Sequence, residues 1–370
     1  MLQKSRRYLL ILLAVLVVVF LVYKFRNSIA LEGFRWDAVA RSVRNARPGL
    51  LFLGILITYA CFAVRATRWV RLCRWLGRTS FWPVYDATLV GFTCTFLLGR
   101  AGEPIRPALI ARKESLPMAG MFGVYVLERI LDIAATVVLA GSALLFFEHQ
   151  THTDPNSPLI KIARSAGGVL LAGLIVAVSF LIYFRHHGAH WLRRKLHENK
   201  WRHGWRGRLI LLLEGFSEGL QAIRTWGELA ILAAYTTLHW LLVALIYYSV
   251  ARAFPGQLSQ LSFRGAVLAL GFGMVGSAIQ LPGVGGGAQV AMFLVFTLIL
   301  GVEKEPAAAA SIMIWLISFA SCAIVGLPLL LRQGWSMGEL RRMAQADEQA
   351  GEAELLAEAE QGLDSGENLP

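Results

Sequence analysis

The most constraining feature of this sequence is a series of long apolar runs, several of which approach the roughly 18 residues that a helix needs to cross about 30 Å of hydrocarbon. Hydrophobic residues make up 56% of the chain, and its mean hydropathy is +0.55. That composition leaves too few polar side chains to cover a soluble globule of 370 residues. The sequence therefore predicts an all-α polytopic membrane protein with about six full spans, at residues 8–25, 49–64, 119–147, 162–184, 229–250 and 307–331.

Two further apolar stretches, residues 84–98 and 263–300, are short or broken by glycine and proline. Loops rich in Lys and Arg tend to stay in the cytoplasm, which places segments 65–78 and 185–208 there, whereas segment 148–158 has neither residue and is expected outside. Both ends of the first stretch then lie in the cytoplasm, and both ends of the second lie outside. Each is therefore expected to enter the membrane and return, giving two re-entrant helical hairpins arranged as an inverted repeat. The alternative is a pair of ordinary spans with glycine kinks.

The charge pattern divides the chain into three parts. We expect an N-terminal anchor helix with an external basic segment, a transmembrane domain and a flexible acidic cytoplasmic tail, at residues 1–48, 49–335 and 336–370. The two halves of the transmembrane domain, joined by residues 148–227, are 49–147 and 228–331. A cleaved signal peptide is the alternative for the first helix. The expected location is the bacterial inner (plasma) membrane, with both termini in the cytoplasm.

The net charge of the chain is +12, although segment 339–370 contains nine acids against two arginines, so the remainder carries +19. Basic residues beside hydrophobic spans are expected to meet anionic lipid headgroups rather than nucleic acid. The four cysteines and the histidines of segment 185–208 show no metal-ligand spacing. We therefore expect neither a metal nor a cofactor.

The first break, residues 99–107, reads Gly-Arg-Ala-Gly-Glu-Pro-Ile-Arg-Pro. Its glycines permit a tight turn, and its prolines end helices. Arg100 and Arg106 are candidates to hold a phosphate, because a guanidinium binds phosphate oxygens through two parallel hydrogen bonds. Glu103 is a candidate to orient an arginine, to exchange a proton or to compete with the substrate. An ordinary cytoplasmic loop is the alternative for the whole segment.

The following span carries Tyr125, Glu128, Arg129 and Asp132 within an otherwise apolar sequence, and ionisable residues at such positions are costly. Glu128 and Asp132 share one helical face, so they need a cation such as Arg129 or Arg106, or else one of them must be protonated. Two interpretations remain open. The group either couples transport to protons or forms a structural ion pair that docks the helix on the hairpin.

The second break, residues 280–289, is rich in glycine and contains no charged residue. Backbone amides in such a turn can cradle an anion. The residues concerned are Pro282, Gly283, Gly285, Gly286 and Gln289. The alternative is a tight turn whose glycines serve only close helix packing.

Three motifs together resemble the flippase-like family that includes the transmembrane region of lysylphosphatidylglycerol synthases. They are Gly-Arg-x-Gly-Glu-x-x-Arg at 99–106, Glu-Arg-x-x-Asp at 128–132 and the Pro-Gly-rich turn at 282–287. The resemblance covers roughly residues 50–331 and implies the handling or translocation of lipids such as aminoacylated phospholipids, polyprenyl-linked intermediates and hopanoids. Gln289 departs from the glutamate that often follows the family's turn, and an acidic tail stands where the synthases continue into an aminoacyl-transfer domain.

The sequence thus predicts a membrane lipid transporter, or flippase, that moves an anionic, polyprenyl-linked or hopanoid-type lipid between leaflets. We expect a transporter rather than an enzyme, since no nucleophile, base and metal set has a recognisable spacing. The alternative is a non-catalytic accessory subunit, partnered by a lipid-modifying enzyme, or an intramembrane enzyme of lipid or glycolipid modification. The candidate substrate-binding residues are Arg100, Glu103, Arg106, Tyr125, Glu128, Arg129, Asp132, Pro282, Gly283, Gly285, Gly286 and Gln289.

Overall fold

The computed structural model describes residues 34–145, 161, 165, 167–176, 179, 225–277, 280–281 and 285–332. The helices of the first half of the chain are α1 Trp36–Arg44, α2 Pro48–Leu72, α3 Phe81–Leu98, α4 Ile105–Glu114 and α5 Met118–Leu145. A shorter apolar helix, α6, occupies Gly167–Val176. The helices that follow are α7 Trp226–Arg252, α8 Phe263–Gly276, α9 Gly287–Leu294, α10 Lys304–Trp315 and α11 Cys322–Arg332.

Short irregular elements complete these helices. Turns of 3₁₀ helix occupy Cys73–Trp75, Gly99–Gly102 and Gly256–Gln260, and π-helical turns extend α9 and α10 over Val295–Ile299 and Leu316–Ala320. Two strands of two residues each, β1 and β2, pair antiparallel with Gln280 opposite Gly286 and Leu281 opposite Gly285. Their bounds are Gln280–Leu281 and Gly285–Gly286.

Four helical stretches in the described part of the chain are long and apolar enough to span a membrane: Pro48–Trp75, Phe81–Leu98, Gly227–Arg252 and Lys304–Arg332. Large apolar side chains on their outer surfaces, such as Phe52 and Ile324, are exposed. Exposed apolar side chains on long helices are suited to contact with lipid tails. The chain is accordingly a polytopic α-helical membrane protein.

The predicted spans agree with the observed helices wherever both are described. Runs 49–64 and 229–250 lie within α2 and α7, and run 307–331 lies within α10 and α11. Run 119–147 corresponds to α5, whose 28 residues include the predicted charged group. Run 8–25, both ends of run 162–184 and the acidic tail lie outside the described residues, so those assignments stay predictions, whereas α6 lies within run 162–184.

Each break folds its flanking helices into an antiparallel hairpin. In the first, α3 ends at Leu98, and Gly99 follows it with φ +66°. Helix α4 then runs back along α3, and at its end Glu114 Oε2 accepts a hydrogen bond of 3.1 Å from Ser80 N. A Cβ at Gly102 would lie 2.4 Å from the carbonyl oxygen of Cys94, so only glycine fits the turn. In the second, a Cβ at Gly276 would lie 2.3 Å from the carbonyl oxygen of Gly287.

The two hairpins open toward opposite ends of α2. Thr79, at the base of the first, donates to the carbonyl of Val70 near the C-terminal end of α2 at 3.4 Å. The base of the second follows α7. Ala253, the residue after α7, accepts a 2.8 Å hydrogen bond from Arg47 N at the other end of α2. The turns of the hairpins meet, because β1 contacts the 3₁₀ segment of the first break. Re-entry into a membrane and the inverted repeat stay predictions.

Antiparallel packing of α2 on α7 joins the two halves of the chain. A Cβ at Gly54 would lie 2.6 Å from Val250 Cγ2, so the helices approach closely at that point. One buried apolar cluster surrounds Tyr247, Phe254 and Phe296 in the second half, and another surrounds Trp69 in the first. The polar groups described next lie where α2, α4, α5 and α7 meet.

Candidate functional site

A buried charged network lies at the centre of the helix assembly. Helix α5 supplies the carboxylates of Glu128 and Asp132, whose side chains are 0% and 9% exposed. Arg68 of α2 donates from Nη2 to Glu128 Oε1 at 2.8 Å and to Asp132 Oδ1 at 2.9 Å. Arg65, one helical turn earlier, lies 3.5 Å from each carboxylate. Two carboxylates thus share two guanidinium groups from the neighbouring helix.

Two more arginines complete the network. Arg129 donates from Nη2 to Glu128 Oε2 and to Asp132 Oδ2, both at 3.2 Å. Arg106 of α4 forms an ion pair with Glu128, and its guanidinium lies 4.4 Å from the centroid of the Trp69 ring. The prediction that these carboxylates need Arg129 or Arg106 as a partner agrees with the geometry.

The positions of Arg65 and Arg68 correct the sequence analysis, which assigned both to a cytoplasmic loop over residues 65–78. They lie inside α2, and their residues are only 7% and 0% exposed. Spacing of three places them on one face of the helix, and the carboxylates of α5 offset the cost of burying two cations. The sequence does contain a signal for them. The apolar helix α5 carries two acids, Glu128 and Asp132, but only one cation, Arg129, so a further cation from another helix was needed.

Close packing at a glycine positions Arg106. A Cβ at Gly91 of α3 would lie 2.6 Å from Arg106 Cβ, so the absent side chain of Gly91 lets α4 approach α3 at this point. Arg106 is 4% exposed. The residue predicted to bind phosphate is therefore held by Glu128, while its side chain also borders the cavity described below.

A third carboxylate ties the first break to α5. Tyr125 Oη donates to Glu103 Oε2 at 2.7 Å, and Arg129 Nη1 lies 3.8 Å from the same oxygen. With Glu103 included, the network contains four arginines, Arg65, Arg68, Arg106 and Arg129, against three carboxylates, Glu103, Glu128 and Asp132. Among the side chains that the structure describes, one positive charge is therefore left over.

His239 of α7 extends the network into the second half. Its Nε2 lies 2.7 Å from Arg65 Nη2, and its Nδ1 lies 3.1 Å from Cys61 Sγ. A guanidinium can only donate, so Nε2 accepts and the ring carries its proton on Nδ1. Thr236, one turn before His239, accepts a 3.0 Å hydrogen bond from Arg68. Neither residue was predicted, since a lone histidine in an apolar span gives no spacing signal.

A cavity of about 430 Å³ lies between the two halves. The charged residues that line it all belong to the first half and are Arg65, Glu103, Arg106, Arg129 and Asp132. The described lining residues of the second half carry no charge, because His239 is a neutral imidazole, and they include Trp240, Val243, Ile246, Tyr247, Met274 and Phe319. The cavity therefore has a charged wall and an apolar wall.

The described part of the second break borders the cavity next to its capping residue. Gln289 Oε1 accepts a 2.6 Å hydrogen bond from Gly286 N, so this amide caps α9 internally. Gly285 and Gly286 form β2, and the adjacent Ala288 lines the cavity. Pro282, Gly283 and the side chain of Arg100 lie outside the described residues, so their predicted roles stay predictions.

In the described residues, no group of three or more His, Cys, Asp or Glu side chains is placed to hold a metal ion.

The family model of the lysylphosphatidylglycerol synthase transmembrane region matches residues 11–326. No curated protein sequence matches the chain closely enough to serve as a relative. The match covers most of the chain, including α1–α10 and all of the charged network, and it confirms the resemblance predicted from the three motifs. The chain belongs to the family of lysylphosphatidylglycerol synthase transmembrane regions.

Proposed function

We propose that the protein is a carrier that moves a phosphate-bearing anionic lipid between the two leaflets of the membrane. The observation that carries this proposal is the cavity between the halves, which has a surplus positive charge on one wall and apolar side chains on the other. Membership of a family named after a synthase that modifies the anionic lipid phosphatidylglycerol supports a lipid ligand.

The surplus charge favours an anionic ligand. A buried cation without a counter-charge is costly at low dielectric, and a headgroup phosphate would neutralise it. Arg129 is the most suitable contact, because its side chain is 34% exposed while those of Arg65 and Arg106 are at most 9% exposed. Its planar guanidinium matches phosphate oxygens in geometry as well as in charge.

The size of the cavity suits a headgroup rather than a whole lipid. Small-molecule sites usually enclose about 300–1,000 Å³, and 430 Å³ lies toward the lower end of that range. The hydrocarbon chains would stay in the bilayer, and the apolar wall would cover only their first carbons. Phospholipids and polyprenyl phosphates share this chemistry, so both are candidate substrates.

Transport is a better proposal than catalysis for these side chains. Cys61 and His239 are close enough to suggest a nucleophile and its base, at 3.1 Å between Sγ and Nδ1. However, Nδ1 carries the ring proton and Nε2 accepts from Arg65, so the imidazole has no free lone pair to take the thiol proton. The pair is unsuited to the role of an activated nucleophile.

The test is leaflet exchange of labelled phosphatidylglycerol and phosphatidylcholine in proteoliposomes. We expect the wild-type protein to accelerate exchange of the anionic lipid, and Arg129→Gln to slow it about tenfold, since a hydrogen bond to a charged group contributes roughly 1.5–3 kcal/mol and Arg129 is partly exposed. Arg129→Lys should recover part of the rate.

Asp86→Asn is the matched control. It removes a carboxylate that lies 3.9 Å from Lys113 on the first hairpin and that is absent from the cavity lining. A melting curve for each variant separates lost exchange from lost folding. The proposal is wrong if the wild-type protein exchanges lipid no faster than protein-free vesicles, or if a folded Arg129→Gln variant matches the wild type.

A further inference from the structure

We infer that Glu103 is a built-in competitor for the phosphate of the ligand. Its carboxylate lies beside Arg129, in the position that a headgroup phosphate takes on binding, so the two anions compete for one guanidinium. This inference rests on the proposed function, because it concerns the same cavity. It goes further by naming the residue that limits the affinity of the site for anionic headgroups.

Glu103 is the most weakly held carboxylate of the network. It has one hydrogen bond, from Tyr125 at 2.7 Å, and its oxygen is 3.8 Å from Arg129 Nη1. Glu128, by comparison, interacts with Arg65, Arg68, Arg106 and Arg129. An anion that enters the cavity would therefore displace Glu103 at the least cost.

The ion pair between Glu103 and Arg129 is also the pair in the network that is most exposed to the cavity. The side chains of Glu103 and Arg129 are 27% and 34% exposed, whereas those of Asp132 and Glu128 are 9% and 0% exposed. Glu103 and Arg129 both line the cavity, and Glu128 is hidden behind them. A headgroup that enters would reach this pair first.

The backbone lets the carboxylate move without moving the break. Glu103 follows Gly102, which packs tightly against the backbone of Cys94, and α4 begins only two residues later. The chain on both sides of Glu103 is therefore held in place, while its side chain lies outside a helical turn. The exchange requires that this side chain rotate away from Arg129 and give up its hydrogen bond from Tyr125.

The charge balance predicts which ligands bind more tightly when Glu103 is displaced. With Glu103 in place, the network carries one surplus positive charge, and with Glu103 turned away it carries two. A phosphatidylglycerol headgroup brings a net negative charge that can replace the carboxylate, whereas a phosphatidylcholine headgroup brings its own cation. Removing the charge of Glu103 should therefore strengthen the binding of the anionic lipid specifically.

The experiment is a titration of the purified full chain in detergent with dihexanoyl phosphatidylglycerol and dihexanoyl phosphatidylcholine, with Kd measured by calorimetry. We expect Glu103→Gln to bind the phosphatidylglycerol about three- to tenfold more tightly than the wild type, after allowing for solvent screening of a partly exposed pair. The affinity for the phosphatidylcholine should not change. Asp86→Asn, which also removes one hairpin carboxylate, should leave both affinities as they are.

Equal or weaker phosphatidylglycerol binding by Glu103→Gln, with clear binding by the wild type, would overturn the inference and leave the proposed function standing. Binding of neither lipid by either protein would defeat the proposed function and this inference with it. Tyr125→Phe gives a second route should Glu103→Gln not fold, because it removes the hydrogen bond but keeps the carboxylate. We expect a smaller gain in phosphatidylglycerol affinity, and no gain would count against the competition.

Discussion

Glu128 is the most enclosed carboxylate of the network. Its side chain is fully buried, and guanidinium groups from α2, α4 and α5 surround it. A proton carrier has to exchange protons with water or with the ligand, and nothing in this geometry gives Glu128 such access. Of the two interpretations of the acidic pair, the geometry favours the structural ion pair.

Glu128→Gln should consequently destabilise the protein. Removing one partner of a buried ion pair typically costs about 3–5 kcal/mol, because the remaining charges stay buried without compensation. The measurement is the melting temperature of the purified variant in detergent, beside Asp86→Asn as the exposed control. Should Glu128→Gln melt like the wild type and lose only transport driven by a proton gradient, the proton-carrier interpretation would be the right one.

The hairpin formed by α3 and α4 depends on glycine at its contact points. Gly91 permits the approach that carries Arg106 to Glu128, and Gly102 permits the turn itself. These two glycines lie on the same hairpin as the charged residues of the first break. The hairpin is therefore a rigid support for the charged wall of the cavity.

Gly91→Ala should push α4 away from α3 and move Arg106 off Glu128. Overpacking of this kind costs about 1–3 kcal/mol, and lipid exchange should fall as well because the charged wall is displaced. Gly49→Ala is the control, since a Cβ at Gly49 meets no atom within 4 Å. A lowered melting temperature together with slower exchange is the expected result for Gly91→Ala alone. Unchanged values for both measurements would show that the contact is not rigid.

The whole molecule should reveal its topology through labelling of single cysteines. The labelling is done in a background without the four native cysteines, all of which are buried. The substitutions Thr79→Cys and Lys113→Cys, which flank the first hairpin, should both give a cysteine that reacts only from the cytoplasm. The substitutions Arg264→Cys and Glu303→Cys, which flank the second hairpin, should both give a cysteine that reacts only from outside. Labelling of either pair from opposite faces would exclude re-entry and the inverted repeat.

At this scale, hydropathy predicted most of the described helices because each span is a continuous apolar run. It also predicted the two breaks, since glycine and proline interrupt those runs. Contacts between side chains on different helices were harder to predict. Arg65 and Arg68 resemble the basic end of a span in sequence, and only the position of α5 shows that they are buried. His239 and the internal cap made by Gln289 likewise depend on contacts that no periodicity encodes.

The four arginines of the network are all anchored on helices, namely α2, α4 and α5. Under the proposed function they stay in place while the lipid passes, so the headgroup crosses the electric field of the membrane without its counter-ions. Each elementary charge that does so exchanges about 2.3 kcal/mol with a potential of 100 mV. In a membrane that is negative inside, the voltage itself would drive an anionic lipid toward the outer leaflet, with no coupled ion.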